Sequence, residues 1–460
     1  MGIHGPHTMY SVSQNYFHFD QIACSNQIIN GNFNNFFVNF GGSGATLSLL
    51  ILILIFSKRK HYRSMAKISI LPSLFNVNEL LIFGIPIVFN PIYFIPFIMV
   101  PVVNVSISYY ATYLGLVPMA VNEITWATPI FLAGFLTTES IRGALLQLVL
   151  LIVDGLIYYP FVKLQAEEYQ VRFLYMVKNL TKKLQEMEEQ NDNSELLKMP
   201  GDLGQTANLL VNDLEDAVNK KQLFLLYQPQ FHGDGSCIGA EALLRWKHPQ
   251  AGLIYPPLII VLAKEGGFLP KLEEFIFDEA CKTLSEIEKQ SGDNFKISVN
   301  ITGESLKNEK FEETLNHCIQ KYHIAPNKLW IEITEQDALA STSEIVQKLN
   351  RLKANGHKLL IDDFGMGHTS INYLQTNLFD VVKLDGCITR TVLENSRNQD
   401  IISSIVYLSQ SLNFMIISEY VENANQRDKL EELGCDVFQG YLYSKPVPLD
   451  EFMKFTKPKS

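Results

Sequence analysis

The stretch IDDFGMGHTS at 361–370 sets two carboxylates, Asp362 and Asp363, side by side at the end of an apolar run. Neighbouring side chains on a β-strand point to opposite faces, so the pair can share a target only where the strand ends and the chain turns. Gly365 and Gly367 supply such a turn. Other short runs turn polar groups to one face only. Glu241 and Arg245 share a face of IGAEALLRW, and Ser298, Asn300 and Thr302 share a face of SVNIT. Glu332 and Thr334 share a face of WIEIT, and Lys383 and Asp385 a face of VVKLD, opposite Val382 and Leu384. Charge turned into a core is costly unless it is paired or binds metal, so several strands bearing it together point to a site. With Glu419, the residues Glu241, Asn300, Glu332, Asp362 and Asp363 form an all-oxygen donor set without His or Cys, which suits Mg²⁺ or Mn²⁺ rather than zinc. Five carboxylates exceed the charge of one divalent ion, so two ions are expected. Paired divalent ions are a common device for phosphoester cleavage.

The elements that must position these groups are eight β-rich runs after about residue 206: LFLLYQP, IGAEALLRW, FKISVNI, KLWIEIT, KLLIDDF, VVKLD, MIISEYV and CDVFQG. They alternate with helical stretches, the size and repeat of a (β/α)₈ barrel, whose sites lie at the C-terminal ends of the strands. Upstream, Phe173, Val177, Leu180, Leu184 and Met187 are spaced 4, 3, 4, 3, an apolar stripe over two heptads. The stripe predicts a helix that either coils with a second copy of the chain or packs on its own domain. EEQNDNSE and MPGDLGQ then predict a hinge ending near 205.

Charge divides the chain. Residues 1–162 hold six Lys/Arg and five Asp/Glu, whereas 163–460 hold 32 and 43. An acidic second part with no basic stripe argues against long nucleic acid as a partner. Six scattered cysteines without a CxxC argue against a zinc site or a disulfide framework. No Asp, Glu, Lys or Arg occurs from Leu80 to Asn122, and further apolar runs lie at about 44–57 and 143–162. These predict membrane spans, with Pro86, Pro91, Pro96, Pro101 and Pro118 breaking the central run into broken or re-entrant helices. Lys58, Arg59, Lys60, Arg63 and Lys67 mark the side after the first span as cytoplasmic, and an even number of further crossings puts the acidic part there too. A basic n-region with a cleavage site is lacking, so no signal peptide is expected.

EALLRW at 241–246 resembles the signature of the EAL phosphodiesterases, which linearise cyclic di-GMP to pGpG. YQP (227–229), VN (299–300), IEITE (331–335), DDFGMG (362–367), KLD (383–385), SEYVE (418–422) and QGYLYSKP (439–446) stand around it in order. By that resemblance, Glu241, Asn300, Glu332 and Asp362 bind a first metal, and Asp362, Asp363 and Glu419 a second. Lys383 touches the nucleophilic water and Gln439 helps orient the site. Gln228 and Arg245 hold the dinucleotide, and Glu335 braces the loop after Asp363, which such domains use to couple dimerisation to activity. Lys264, Met366, Ser418 and Tyr420 depart from the usual pattern. Alternation puts Tyr420 on the face opposite Glu419, where it should crowd a helix and not the metals. The GGDEF cyclase signature is absent.

GIHG (2–5), GGSGATLSLLILILIFSK (41–58), LPSLFNVNELLIFGIPIVFNPIYFIPFI (71–98) and ITWATPIFLAGFLTT (124–138) resemble the C-terminal portion of the IIC permease of cellobiose/lactose type from the phosphotransferase system. That resemblance implies sugar contacts at His4 and Glu79. The sequence thus predicts a partial permease-like transmembrane region over 1–163, a connector helix and hinge over 164–205, and a cytosolic TIM-like EAL barrel over 206–460. The expected function is a multi-pass, inner-membrane-anchored cyclic di-GMP phosphodiesterase, a homodimer in contact with lipid and regulated by a sugar sensor. A non-hydrolytic cyclic di-GMP receptor and a sugar permease with a regulatory tail are the competing readings. The complete acidic set speaks against the first and the missing spans against the second.

Overall fold

The computed structural model describes residues 28–122, 124–190, 192, 194–220, 222–292, 295–339, 342–365 and 377–456. The chain divides into two compact units, Met1–Tyr175 and Met176–Ser460.

The first unit is helical where described. A segment over Gly31–Ala45 meets α1 (Leu47–Phe56) at a 44° bend. It is followed by α2 (Lys60–Leu74), α3 (Glu79–Gly84), α4 (Pro91–Tyr113), α5 (Leu132–Thr138) and α6 (Ile141–Gln190). Helices α4 and α6 are long and apolar enough to cross a membrane, and the bent pair makes three if it is one span. Ile98, Val102, Leu145, Ile152 and Leu156 are each more than half exposed, a surface that lipid covers better than water. The prolines act unequally. The chain breaks at Pro86 and restarts with Pro91 at the head of α4, where Asn90 caps the Ile92 N–H, but Pro96 and Pro101 lie inside an unbroken α4. Backbone carbonyls before the bend are met by side chains from the long helices. Gln147 donates to Phe36 O at 2.7 Å, Asn104 to Val38 O at 3.3 Å, and Tyr158 to Gly44 O at 2.7 Å.

Helix α6 runs 50 residues without interruption, about 75 Å at 1.5 Å per residue. The stripe lies on its second half, and Phe173, Val177, Leu180, Leu184 and Met187 are all buried within the single chain. Of the two sequence readings, packing within its own chain is the one observed. The expected hinge through 205 is also different: α7 (Gly201–Asn219) begins at Gly201. Leu196 is fully buried, and the Leu196 and Leu197 N–H groups both donate to the Glu265 carboxylate, at 3.0 and 2.9 Å. A carboxylate gripping two backbone donors ties the segment down.

The second unit is a closed barrel of β1 (Leu223–His232), β2 (Cys237–His248), β4 (Lys296–Ile301), β5 (Leu329–Thr334), β6 (Leu359–Phe364), β7 (Val381–Leu384), β8 (Met415–Ser418) and β9 (Val437–Phe438). A short β3 (Gly252–Ile254) pairs with β2 outside it. From β2 through β9 the barrel strands run parallel. Strand β1 runs antiparallel to both neighbours, β2 and β9. The cause is local: Gly235 adopts φ +79° and Asp234 accepts the Ser236 N–H at 2.7 Å, a tight turn that leaves no room for a crossover helix. Inside, Trp330, Leu360, Val381, Ile417 and Val437 form an apolar layer. Two residues further along the same chain stretches come Glu332, Asp362, Lys383, Glu419 and Gln439. The strand period of two therefore stacks a polar layer directly on an apolar plug.

Candidate active site

Lys383 organises the polar layer. Its ammonium lies 3.1 Å from Glu241 Oε2, 3.1 Å from Glu332 Oε2, 2.9 Å from Asp362 Oδ1 and 2.9 Å from Glu419 Oε1, and the side chain is buried. One cation against these four carboxylates and the adjacent Asp363 leaves the layer strongly negative. Burial would depress the Lys383 ammonium, but Asp362, Glu241, Glu332 and Glu419 outweigh it and hold its pKa well above the usual value. Burial pushes Glu332 up to about 8, only partly offset by Lys383, and Glu419 well above the carboxylate range. Burial and then the neighbouring Asp362 and Asp385 raise Asp363 to about 6. Glu241 goes the other way. Burial works to raise it, but Lys383 and hydrogen bonds from Gln439 and Asn300 keep it below the ordinary range.

The two aspartates meet through a β-bulge. The β6–β7 register shifts between Ile361 and Phe364, and Asp363 sits at φ +55° inside β6. A bulge re-aims one side chain, so the sharing expected at a strand end happens within the strand. Ligand oxygens of Glu241, Glu332 and Asp362 all lie within 4.8 Å of one another, and so do those of Asp362, Asp363 and Glu419. Asp362 belongs to both groups. Asn300 is exposed and donates Nδ2 to Glu241 Oε1 at 2.7 Å.

The remaining residues singled out from the sequence are distributed around this layer. Gln439 donates to Glu241 Oε2 at 2.7 Å and to Gln228 Oε1 at 3.4 Å. Gln228 pairs with Glu241 in the β1–β2 register. Arg245 is half-buried and donates Nη1 to Leu244 O at 2.9 Å. Glu335 stands apart from the carboxylate groups: it heads the helix Glu335–Leu339 and accepts the Gly365 N–H at 3.0 Å, just before 366–376, which with Met366 lie outside the described residues. Thr302 and Asp385 share the polar faces read from the sequence but serve as helix caps, Thr302 for Gly303–Lys307 and Asp385 for Gly386–Thr389. Tyr420, at φ +54°, turns away from the layer. Its ring packs on Gly386 and lies 4.3 Å from the Arg390 guanidinium, away from the carboxylates as expected, but a left-handed turn beyond the end of β8 and not strand alternation puts it there. Glu79 begins α3 in the first unit, and His4 lies outside the described residues. Sequence reasoning missed Gln230, which is buried and donates to Gln439 Oε1 at 2.8 Å. The signal was present in YQPQ, where Gln228 and Gln230 share a strand face.

Comparison with known proteins covers both parts. A family profile described as EAL domain matches residues 211–446, and one described as phosphotransferase system, EIIC, matches 1–101. The bifunctional diguanylate cyclase/cyclic di-GMP phosphodiesterase MucR of Pseudomonas aeruginosa is 33% identical over 245 residues, 53% of this chain and 36% of that protein. The cyclic di-GMP phosphodiesterase RocR of the same bacterium is 30% identical over 246 residues, 53% of this chain and 62% of RocR. The chain thus spans less than two thirds of either relative. The solved MucR phosphodiesterase in complex with c-di-GMP superposes with a TM-score of 0.50 at 32% identity, over 53% of this chain and 99% of that one.

Proposed function

The chain belongs to the EAL domain family, and from that premise we propose that its barrel hydrolyses cyclic di-GMP to linear pGpG with two divalent ions at the mouth. The observation that carries the reading is the pair of three-carboxylate groups hinged on Asp362. Their donor chemistry fits the ions: oxygen only, dense, and more negative than Lys383 balances. Glu241, Asn300, Glu332 and Asp362 would hold one ion, and Asp362, Asp363 and Glu419 the other. When bound, the ions activate water and polarise the phosphate, Mg²⁺ or Mn²⁺ serving equally by chemistry.

The chain's own residues do the rest. Lys383 keeps a proton at Nζ, so it can donate a hydrogen bond to the attacking water while offsetting part of the carboxylate charge. Gln439 and Asn300 each donate to Glu241 and fix its carboxylate plane. Arg245 and Gln228, at the rim, bind the anionic dinucleotide, and Glu335 holds the chain where β6 leaves the barrel. The apolar layer beneath excludes water from the floor. The first unit serves as a multi-pass anchor, with Glu79 as its candidate sugar contact, and α6 is the connector to a barrel on the cytoplasmic side. The purified chain in detergent with Mn²⁺ or Mg²⁺ should convert cyclic di-GMP to pGpG, and Ca²⁺ should inhibit through its looser coordination. Glu241→Ala should abolish turnover. Robust turnover by that variant, or none by the wild type, rejects the reading.

A further inference from the structure

An amide side chain has two unlike ends, an acceptor oxygen and a donor NH₂, and a half-turn exchanges them. Gln439 is buried beside Glu241 and Gln230. Glu241 Oε2 lies 3.1 Å from the Lys383 ammonium, a group that can only donate, so that oxygen is an acceptor. Gln439 must therefore present its NH₂ to Glu241 Oε2, as it does at 2.7 Å. Its oxygen must then face Gln230, which in turn must donate, as it does at 2.8 Å. The polarity of the chain Gln230 to Gln439 to Glu241 follows from the carboxylate at its end, whichever way an amide is drawn.

We propose that Gln230 is a positioning residue: it locks the Gln439 amide in the one orientation that donates to Glu241, and so sets the metal-binding geometry of that carboxylate. The proposal deepens the metal-dependent reading above and rests on it. Three features support it. Gln230, Gln439 and Glu241 are all nearly sealed from solvent, at 2%, 3% and 5% exposure, so water does not substitute for a lost donor. Gln230 lies on β1, whose antiparallel course between β2 and β9 brings Gln228 and Gln230 to one face beside both partners. Gln439 also touches Gln228, but at 3.4 Å and through the same NH₂, so that contact does not hold the oxygen end.

The test uses the full chain in detergent, with Mn²⁺ affinity read by electron paramagnetic resonance of the free ion, and kcat and KM read separately. Gln230→Met keeps the volume and removes the donor. It should weaken Mn²⁺ binding by about tenfold, the worth of one charge-assisted hydrogen bond, and lower kcat with KM unchanged. Gln230→Glu keeps the shape and offers only acceptors. It should turn the Gln439 NH₂ away from Glu241 and weaken Mn²⁺ at least as much, although an added negative charge by itself would tighten a cation. In a Gln439→Met background neither substitution should cost more than about twofold, because the route through the amide is gone. Melting temperatures of all variants identify any loss that is merely misfolding, and Gln230→Met and Gln230→Glu bracket that case from opposite chemistries. Tighter Mn²⁺ binding by Gln230→Glu, unchanged affinity in Gln230→Met, or equal costs in both backgrounds overturns the proposal. A wild type that binds Mn²⁺ but does not cleave rejects hydrolysis while the affinity arm still decides Gln230. A wild type that binds no Mn²⁺ rejects both.

Discussion

At the scale of single residues the site is a problem of charge, and Lys383 is the group on which it turns. Four carboxylates lie within 3.1 Å of its ammonium in a buried layer. Lys383→Met should cost the metal-free protein about 3–5 kcal/mol, as breaking a buried ion pair does, and Mn²⁺ should restore most of it. Melting in chelator and in Mn²⁺ checks this, and an equal loss in both would show that Lys383 packs the barrel without balancing its charge. The raised carboxyls make a second prediction. Unfolded, Asp and Glu titrate at about 4, whereas Asp363 and Glu332 titrate at about 6 and about 8 in the fold. The folded state holds protons there that the unfolded chain has lost, so their contribution is fully present below about pH 4 and fades as pH rises through 6 and then 8. Glu241 is depressed, so its contribution is present above about pH 4 and is lost at lower pH. In chelator the melting temperature should fall between pH 5 and 8.5, and the gain from Mn²⁺ should grow over the same range because the ion replaces the protons. A gain from Mn²⁺ that shrinks as pH rises would contradict these assignments. Most of these residues were legible in the sequence, because a polar face repeating on several strands has few uses other than a site. Gln230 was not, because two glutamines on one strand face look like ordinary polar filling until the barrel closes and β9 brings Gln439 against them.

At the scale of elements the strand alternation carried the reading furthest. It assigned the inward face of β4, β5 and β7 correctly because a period of two is purely local. It could not show that β1 runs backwards, which depends on the short turn between Gly233 and Ser236, nor that Asp363 reaches the site through a bulge. The apolar stripe on α6 is the reverse case. Its spacing was legible, but spacing alone does not say which surface covers it, and the folded chain covers it itself. That changes what substitutions there should do. Val177→Asp and Leu184→Asp each bury an unpaired carboxylate, at a cost of about 2–4 kcal/mol. The double variant should melt well below wild type at every protein concentration, whereas Gln185→Asp, on the exposed side of the same helix, should be nearly neutral. Were the stripe instead a seam between two copies, the wild-type melting temperature would rise with concentration and the variant's deficit would vanish on dilution.

At the scale of the whole molecule, counting candidate spans predicts an arrangement across the membrane. The basic cluster from Lys58 to Lys67 stands after α1, and positive residues of short loops stay on the cytoplasmic side. Between that cluster and the barrel, two helices among the described residues are long and apolar enough to cross, α4 and α6. Two crossings would return the chain to the side it left and put the barrel on the side that the basic cluster marks. On that topology the loop between α4 and α6 faces the opposite side. Three cysteine positions read this directly with a membrane-impermeant maleimide. Native Cys387 is exposed in the barrel, Lys60→Cys lies in the basic cluster, and Leu116→Cys sits just after α4 with its side chain exposed. In intact spheroplasts Leu116→Cys should label while Cys387 and Lys60→Cys should not; in inverted vesicles the pattern should reverse. Labelling of Cys387 and Leu116→Cys from the same side would mean that α6 does not cross. Labelling of Cys387 and Lys60→Cys from opposite sides would make the number of crossings between them odd, and the barrel could then not share the side marked by the basic cluster.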